Sequence, residues 1–263
     1  MNKRSASVVR GADRSRGFTL VELLVSMVIA LFLLGGVMTI VQDTRRATSS
    51  QTQSTQLQDS VRLAMTMLTD VIQSAGYYSD PLNSNGNVSL PASGAFVAGQ
   101  AISGTGAFTA VAPGDAISVR YQTANGDGIL NCAGTSNTSG ANQIFINSFS
   151  LDGQGQLQCT LTSGGLVGAP IVLIPAITTG PNQLKITNLQ ILYGVQTNFA
   201  AANQCADSYW DATKVSATTI NGQTAWNYVV SVRITLSFLN PAGGAALQFT
   251  RIIGVMNKMG VVT

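Results

Sequence analysis

The sequence predicts an α+β chain: a long N-terminal helix, partly transmembrane, packed on a C-terminal antiparallel β-rich globular head. Three observations carry that reading. Leu23–Val41 is a 19-residue run without a charge, the first proline is Pro81, and short apolar runs separated by glycine-rich turns fill the chain from Asp80 onward.

The N-terminal element comes first. Residues 1–17 hold five basic residues (Lys3, Arg4, Arg10, Arg14, Arg16) against Asp13, whereas 18–263 carry nine basic and ten acidic residues. The net +3 of the whole chain is therefore mostly a property of the leader. As a helix, the uncharged run spans roughly 28 Å, the thickness of a bilayer's hydrocarbon core. The positive-inside bias puts the basic leader in the cytoplasm and the rest outside. A cleavable secretory signal has a shorter apolar core and a small-residue exit site, and Gly35-Gly36-Val37-Met38-Thr39 is a poor one. A core helix would carry a polar side; this run has only Ser26 and Thr39 over five turns.

The helix continues beyond the membrane segment. Leu57, Val61, Ala64, Met65, Leu68, Ile72 and Ala75 recur at helical spacing, with Gln58, Asp59, Arg62, Thr66, Thr69, Asp70 and Gln73 mostly opposite. Only Gly35-Gly36 softens the stretch before Gly76. One helix from about Phe18 to Ala75 would be on the order of 85 Å long. The expected organisation is a leader at 1–17, a helix at 18–79 (transmembrane about 22–41, amphipathic about 54–76) and a head at 80–263.

In the head, expected strands are Ala116–Tyr121, Gln143–Phe149, Gly155–Leu161, Leu184–Tyr193, Tyr228–Phe238 and Ala246–Val255. The period-two alternation of Val230, Val232, Ile234, Leu236 and Phe238 with Ser231, Arg233, Thr235 and Ser237 is the strongest signal. Turns are expected at Asn125-Gly126-Asp127-Gly128, as a hairpin, and at Asp152-Gly153. Asn83–Ala107 reads as a long surface loop, and Gly104-Thr105-Gly106 as a flexible turn too short to cradle phosphate.

Composition excludes much chemistry. No histidine means no Ser-His-Asp or Cys-His nucleophile and no His-ligated zinc. Cys132, Cys159 and Cys205 have no CxxC spacing. Asn125, Asp127 and Asn131 imitate part of a calcium loop, but no glutamate follows Glu22 to complete one. With 10% charged residues the composition argues against a nucleic-acid binder. No catalytic residue, metal, cofactor or small-molecule substrate is expected, and the chain is not read as an enzyme.

Glu22, the only glutamate, stands at the head of the apolar run, where a carboxylate is costly and marks a function. Around it, RGFTLVELLVSMVIALFLL resembles the class III signal of type IV pilins and pseudopilins. That resemblance implies peptidase cleavage between Gly17 and Phe18, N-methylation of Phe18, and an assembly role for Glu22 against a neighbouring subunit's N-terminal ammonium. VRLAMTMLTDVIQSAGYYSD (61–80), GDAISVRYQ (114–122), LQILYGVQT (189–197) and WNYVVSVRITLSF (226–238) resemble, in order, segments of the PilW family of minor pilins.

What that family implies is an inner-membrane protein with a periplasmic head that helps to initiate pilus assembly and joins the tip complex. Implied partners are other minor pilins and the major pilin, the prepilin peptidase, the inner-membrane assembly platform and a large tip adhesin, in filaments serving adhesion and twitching motility. The J-type minor pseudopilin of type II secretion is the nearest alternative, and a signal-anchored periplasmic binding module a more distant one. Cysteines suit the oxidising periplasm. Three pairings are open; the family pattern favours Cys132–Cys159, whose 28-residue loop is worth about 3 kcal/mol, with Cys205 left over.

Overall fold

The computed structural model describes residues 19–106, 114–177, 184–199, 205–240 and 244–258. By its internal contacts the chain divides into two units, Met1–Thr48 and Ser49–Thr263. Helix α1 (Leu20–Gln73) begins in the first and ends in the second.

In the first unit every residue from 19 to 48 is exposed, including Leu20 through Val41. The side-chain hydroxyls turn back onto the helix: Ser26 donates to Glu22 O at 2.6 Å, Thr39 to Gly36 O at 2.7 Å, Thr44 to Ile40 O at 2.8 Å. Hydroxyls satisfied in this way can enter hydrocarbon without losing a partner. The helix runs through Gly35–Gly36 unbroken.

In the second unit the helix turns amphipathic. All seven residues of the expected apolar face are buried, and so is Val71. Thr69, assigned to the polar side, is buried as well, because its hydroxyl donates to Met65 O. Gly76 takes φ 76°, the left-handed turn that ends a helix. From there Gly76 N–H donates to Arg120 O (3.0 Å), and Tyr77 O accepts from Gln122 N–H (2.8 Å).

Two antiparallel sheets complete this unit. The first comprises β1 (Ile102–Thr105), β2 (Ala116–Thr123), β3 (Gln143–Leu151), β4 (Leu157–Ser163), β5 (Leu166–Val167) and β6 (Ile171–Ile174), in the order β1-β2-β3-β4-β5 with β6 also on β4. The second contains β7 (Ile186–Val195) and β8 (Ser208–Trp210), then β11 (Val229–Phe238) and β12 (Leu247–Gly254), ordered β12-β11-β7-β8. Between β8 and β11 lie α3 (Ala212–Ala217) and a small ladder of β9 (Thr219–Ile220) and β10 (Gln223–Thr224).

Apolar residues of the helix and both sheets form one core. Tyr193 packs edge-on against Trp226 at 4.7 Å, and Tyr121 against Phe145 at 6.1 Å. The sheets are tied together just before β2. Asp115 N–H donates to Leu189 O (2.8 Å) and its carboxylate accepts Ile191 N–H (2.8 Å). Gly114 is needed there, since a Cβ would come within 2.5 Å of Leu189 O. Burial, and then Asp211, push the Asp115 carboxyl above its usual range, against the lowering bond from Ile191.

Three expectations are corrected. The loop expected at Asn83–Ala107 instead holds a short helix α2 (Gly86–Ser89), capped by Asn85 through Val88 N–H, and strand β1. It also buries Leu90, Phe96, Gln100 and Ile102. Gly104 is no flexible turn: it sits in β1, where a Cβ would stand 1.9 Å from the Tyr193 hydroxyl, so glycine makes room for that ring. The hairpin expected at 125–128 is a turn within a longer β2–β3 connection, residues 124–142, although β2 and β3 do pair. Asp127 holds the turn by accepting Ala124 N–H (2.8 Å) and Ile129 N–H (3.1 Å).

Candidate assembly site

Glu22 lies in the first turn of α1. The Thr19 hydroxyl accepts Glu22 N–H at 3.3 Å, and Thr19 O accepts Leu23 N–H at 3.2 Å, so threonine supplies the N-cap. The spacing Thr19-x-x-Glu22 is that of a capping box, yet among the described residues the Glu22 carboxylate has no hydrogen bond or ion pair. A carboxylate at the edge of an apolar segment is costly without a partner. Gly17 and Phe18, the expected cleavage and methylation positions, lie outside the described residues. The helix carrying Glu22 is long and apolar enough to cross a membrane. The ion pair Asp43–Arg46 (4.0 Å) follows the apolar run.

The structure joins Cys132 to Cys159, with Cα atoms 6.3 Å apart. Cys159 lies on β4 and Cys132 in the β2–β3 connection, both buried. Two further bonds fasten that connection. Cys132 N–H donates to Asn147 Oδ1 (2.8 Å), and the Tyr121 hydroxyl donates to Leu130 O (2.8 Å). Burial pushes the Tyr121 phenol up to about 12, so it remains a donor at any physiological pH. Cys205 is an exposed free thiol. Peptide mapping without reduction should therefore recover a Cys132–Cys159 crosslink, with Cys205 alkylated before denaturation; a crosslink containing Cys205 would contradict the pairing.

The residues that imitate a calcium loop are occupied elsewhere. Asn125 Oδ1 accepts Gly140 N–H (2.9 Å), and Asn131 Oδ1 accepts Ala133 N–H (2.9 Å) and Thr135 N–H (3.2 Å). With Asp127 they serve separate backbone amides of one connection.

Sequence reasoning missed Arg120. It is fully buried, with no carboxylate in contact among the described residues. Its guanidinium donates to Gln100 O (2.5 Å), Pro91 O (2.6 Å), Val97 O (2.6 Å) and Leu90 O (3.0 Å), and stands 4.7 Å over the Phe96 ring. One side chain thus fastens the whole 90–100 segment. Burial lowers its pKa to about 10, which leaves it charged at neutral pH. In the sequence, Ser118, Arg120 and Gln122 alternate with Ile117, Val119 and Tyr121, so Arg120 reads as a solvent-facing residue.

Residues 13–38 match the model of the prokaryotic N-terminal methylation motif, and residues 152–245 match that of type IV pilus-assembly protein W, PilW. The chain thus joins a pilin-type methylation motif to a PilW-like region. No curated protein and no solved structure matches the chain. The methylation motif spans Glu22 and the exposed apolar start of α1. The PilW match runs from the β3–β4 turn through β11, and includes Cys159 and Cys205. The motif, the PilW-like region and an apolar helix long enough to cross a membrane together support a type IV pilus-related protein.

Proposed function

We propose that this PilW-type chain is a minor pilin that helps to initiate type IV pilus assembly and enters the tip complex. The observation that carries this reading is one continuous helix. Its first part is exposed, apolar and bears the methylation motif with Glu22, and its last part is built into the core of a β-rich unit.

The roles follow from that order. The basic leader stays in the cytoplasm and the β-rich unit is delivered to the periplasm, by the positive-inside bias. The prepilin peptidase cuts between Gly17 and Phe18 and Phe18 is methylated. Glu22 then pairs with the N-terminal ammonium of a neighbouring subunit as the helix moves into the filament. Other minor pilins, the major pilin, the assembly platform and a tip adhesin are the partners in this reading. The chain's role is structural, without catalysis. The PilW match over 152–245 favours a pilus over the J-type pseudopilus, which would share the long helix.

Intact-mass measurement and N-terminal sequencing of membrane-extracted protein test it. The mature chain should begin at a methylated Phe18, and Gly17→Ala should accumulate the unprocessed form. A mature start at Met1, or within Thr39–Ser50, would rule the reading out.

A further inference from the structure

Each sheet of the β-rich unit has two outer edges, and they differ in how they are guarded. Exposed edges are templates for pairing with another chain, and proteins blunt them with short strands, prolines, irregular pairing or charge. In the first sheet β1 has four residues. At the other edge β5 has two, and β6 is bracketed by Pro170 and Pro175 and shifts its register on β4 between Leu157 and Gln158. In the second sheet β8 has three residues. The remaining edge, β12, has eight residues, no proline, and unbroken register with β11 from Ser231↔Gly254 to Phe238↔Leu247. Among the described residues no strand pairs with its outer side. Gln248, Thr250, Arg251 and Ile252 are exposed.

Charge narrows what fits there. From Ala212 to Thr263 the chain contains Lys214, Arg233, Arg251 and Lys258 and no acidic residue. Arg251 is the single charge on β12, and Arg233 stands on β11 opposite Ile252, with its guanidinium over the Tyr209 ring at 5.0 Å. Neither has a carboxylate partner among the described residues. Pairing β12 with β12 of a second copy would bring two cationic edges together, a repulsion that discriminates against self-association. An extended segment bearing aspartate or glutamate meets complementary charge instead.

We propose that β12 is a strand-addition site that takes an extended, acidic segment of a partner protein, with backbone bonds supplying affinity and Arg251 selecting charge. This stands on the geometry and charge of the edge and holds whether or not the chain enters a pilus.

Two synthetic peptides test it on the full-length, detergent-solubilised chain. Both alternate valine and threonine over eight residues, the length of β12; one carries two aspartates and the other two lysines at the same places. Along an antiparallel strand, backbone groups face the neighbour and the open side at alternate residues, so one of Thr250→Pro and Arg251→Pro removes an outward N–H and the other a bond to β11. The variant that keeps the wild-type melting temperature is the edge-blocking one. The aspartate peptide should bind several-fold tighter than the lysine peptide, and the edge-blocking proline should weaken it about tenfold. Arg251→Glu should reverse the preference. Undiminished binding to the edge-blocked chain, or no binding of the aspartate peptide to the wild type at millimolar concentration, would overturn the proposal. So would a concentration-dependent dimer abolished by the same proline, which would assign the edge to a second copy.

Discussion

Replacing Arg120 with methionine should lower the stability of the β-rich unit by about 3–5 kcal/mol, through lost charge-assisted bonds and stranded carbonyls. Methionine approximates the volume and offers no donor. Leu90 O would keep the Gly99 N–H, and Val97 O the Gln100 N–H. Pro91 O and Gln100 O have no other donor among the described contacts, so Gln100 O, in a buried residue, would be left unpaired and Pro91 O, on an exposed one, would turn to water. For a unit of this size the melting temperature should fall by roughly 10 °C. Limited proteolysis should open first within residues 83–100. Arg120→Lys should be intermediate, because it keeps the charge but cannot reach four carbonyls with one ammonium. A methionine variant melting within a degree or two of the wild type would show that the segment holds without its clamp.

Glu22→Ala should give a processed, correctly inserted chain that is missing from sheared filaments. Insertion becomes easier when a carboxylate leaves the edge of the apolar run. The fold should be untouched, since among the described residues the Glu22 side chain has no partner and Leu57 is the first buried one of the helix. In the filament, leaving a neighbour's ammonium unpaired costs roughly 3–5 kcal/mol. If Glu22 only favoured the helix terminus, its loss would cost about 0.3–1 kcal/mol, and Thr19 already supplies the cap. Blots of sheared-pilus fractions separate the two. Wild-type amounts of the variant in filaments would reduce Glu22 to a helix-end charge.

Much of this architecture was legible in the sequence because it rests on long, uninterrupted periods. The helix shows itself by an apolar run and then a seven-residue face. The six long strands β2, β3, β4, β7, β11 and β12 show themselves by alternation and by glycine-rich boundaries. What stayed hidden depends on partners distant in the chain. Strand β1 is Ile-Ser-Gly-Thr, whose glycine reads as a turn until Tyr193 needs the space. Asp115 looks like a surface carboxylate until it meets Ile191 N–H on β7. Arg120 occupies the polar phase of an alternating strand, and only the folded 90–100 segment turns that position inward. For the assembly site, the sequence placed Glu22 and favoured the cysteine pair. It could not say how the β2–β3 connection is fastened, because Asn147 and Tyr121 lie on separate strands.

The two sheets also differ in when they can be completed. Every pairing of the first joins strands that are close in the chain, β1 with β2 through to β4 with β5 and β6, and the disulfide lies within that span. The heart of the second is β7 with β11, whose partners Val195↔Val229 and Ile186↔Phe238 are separated by β8, α3 and the β9–β10 ladder. Local pairings close quickly, while distant ones wait for their loops to close. A chain threaded across a membrane from its anchored end would have its first sheet and its oxidised cysteines in place while the last strands were still arriving. The second sheet would then be laid onto a finished surface, with Asp115 already presented to receive β7.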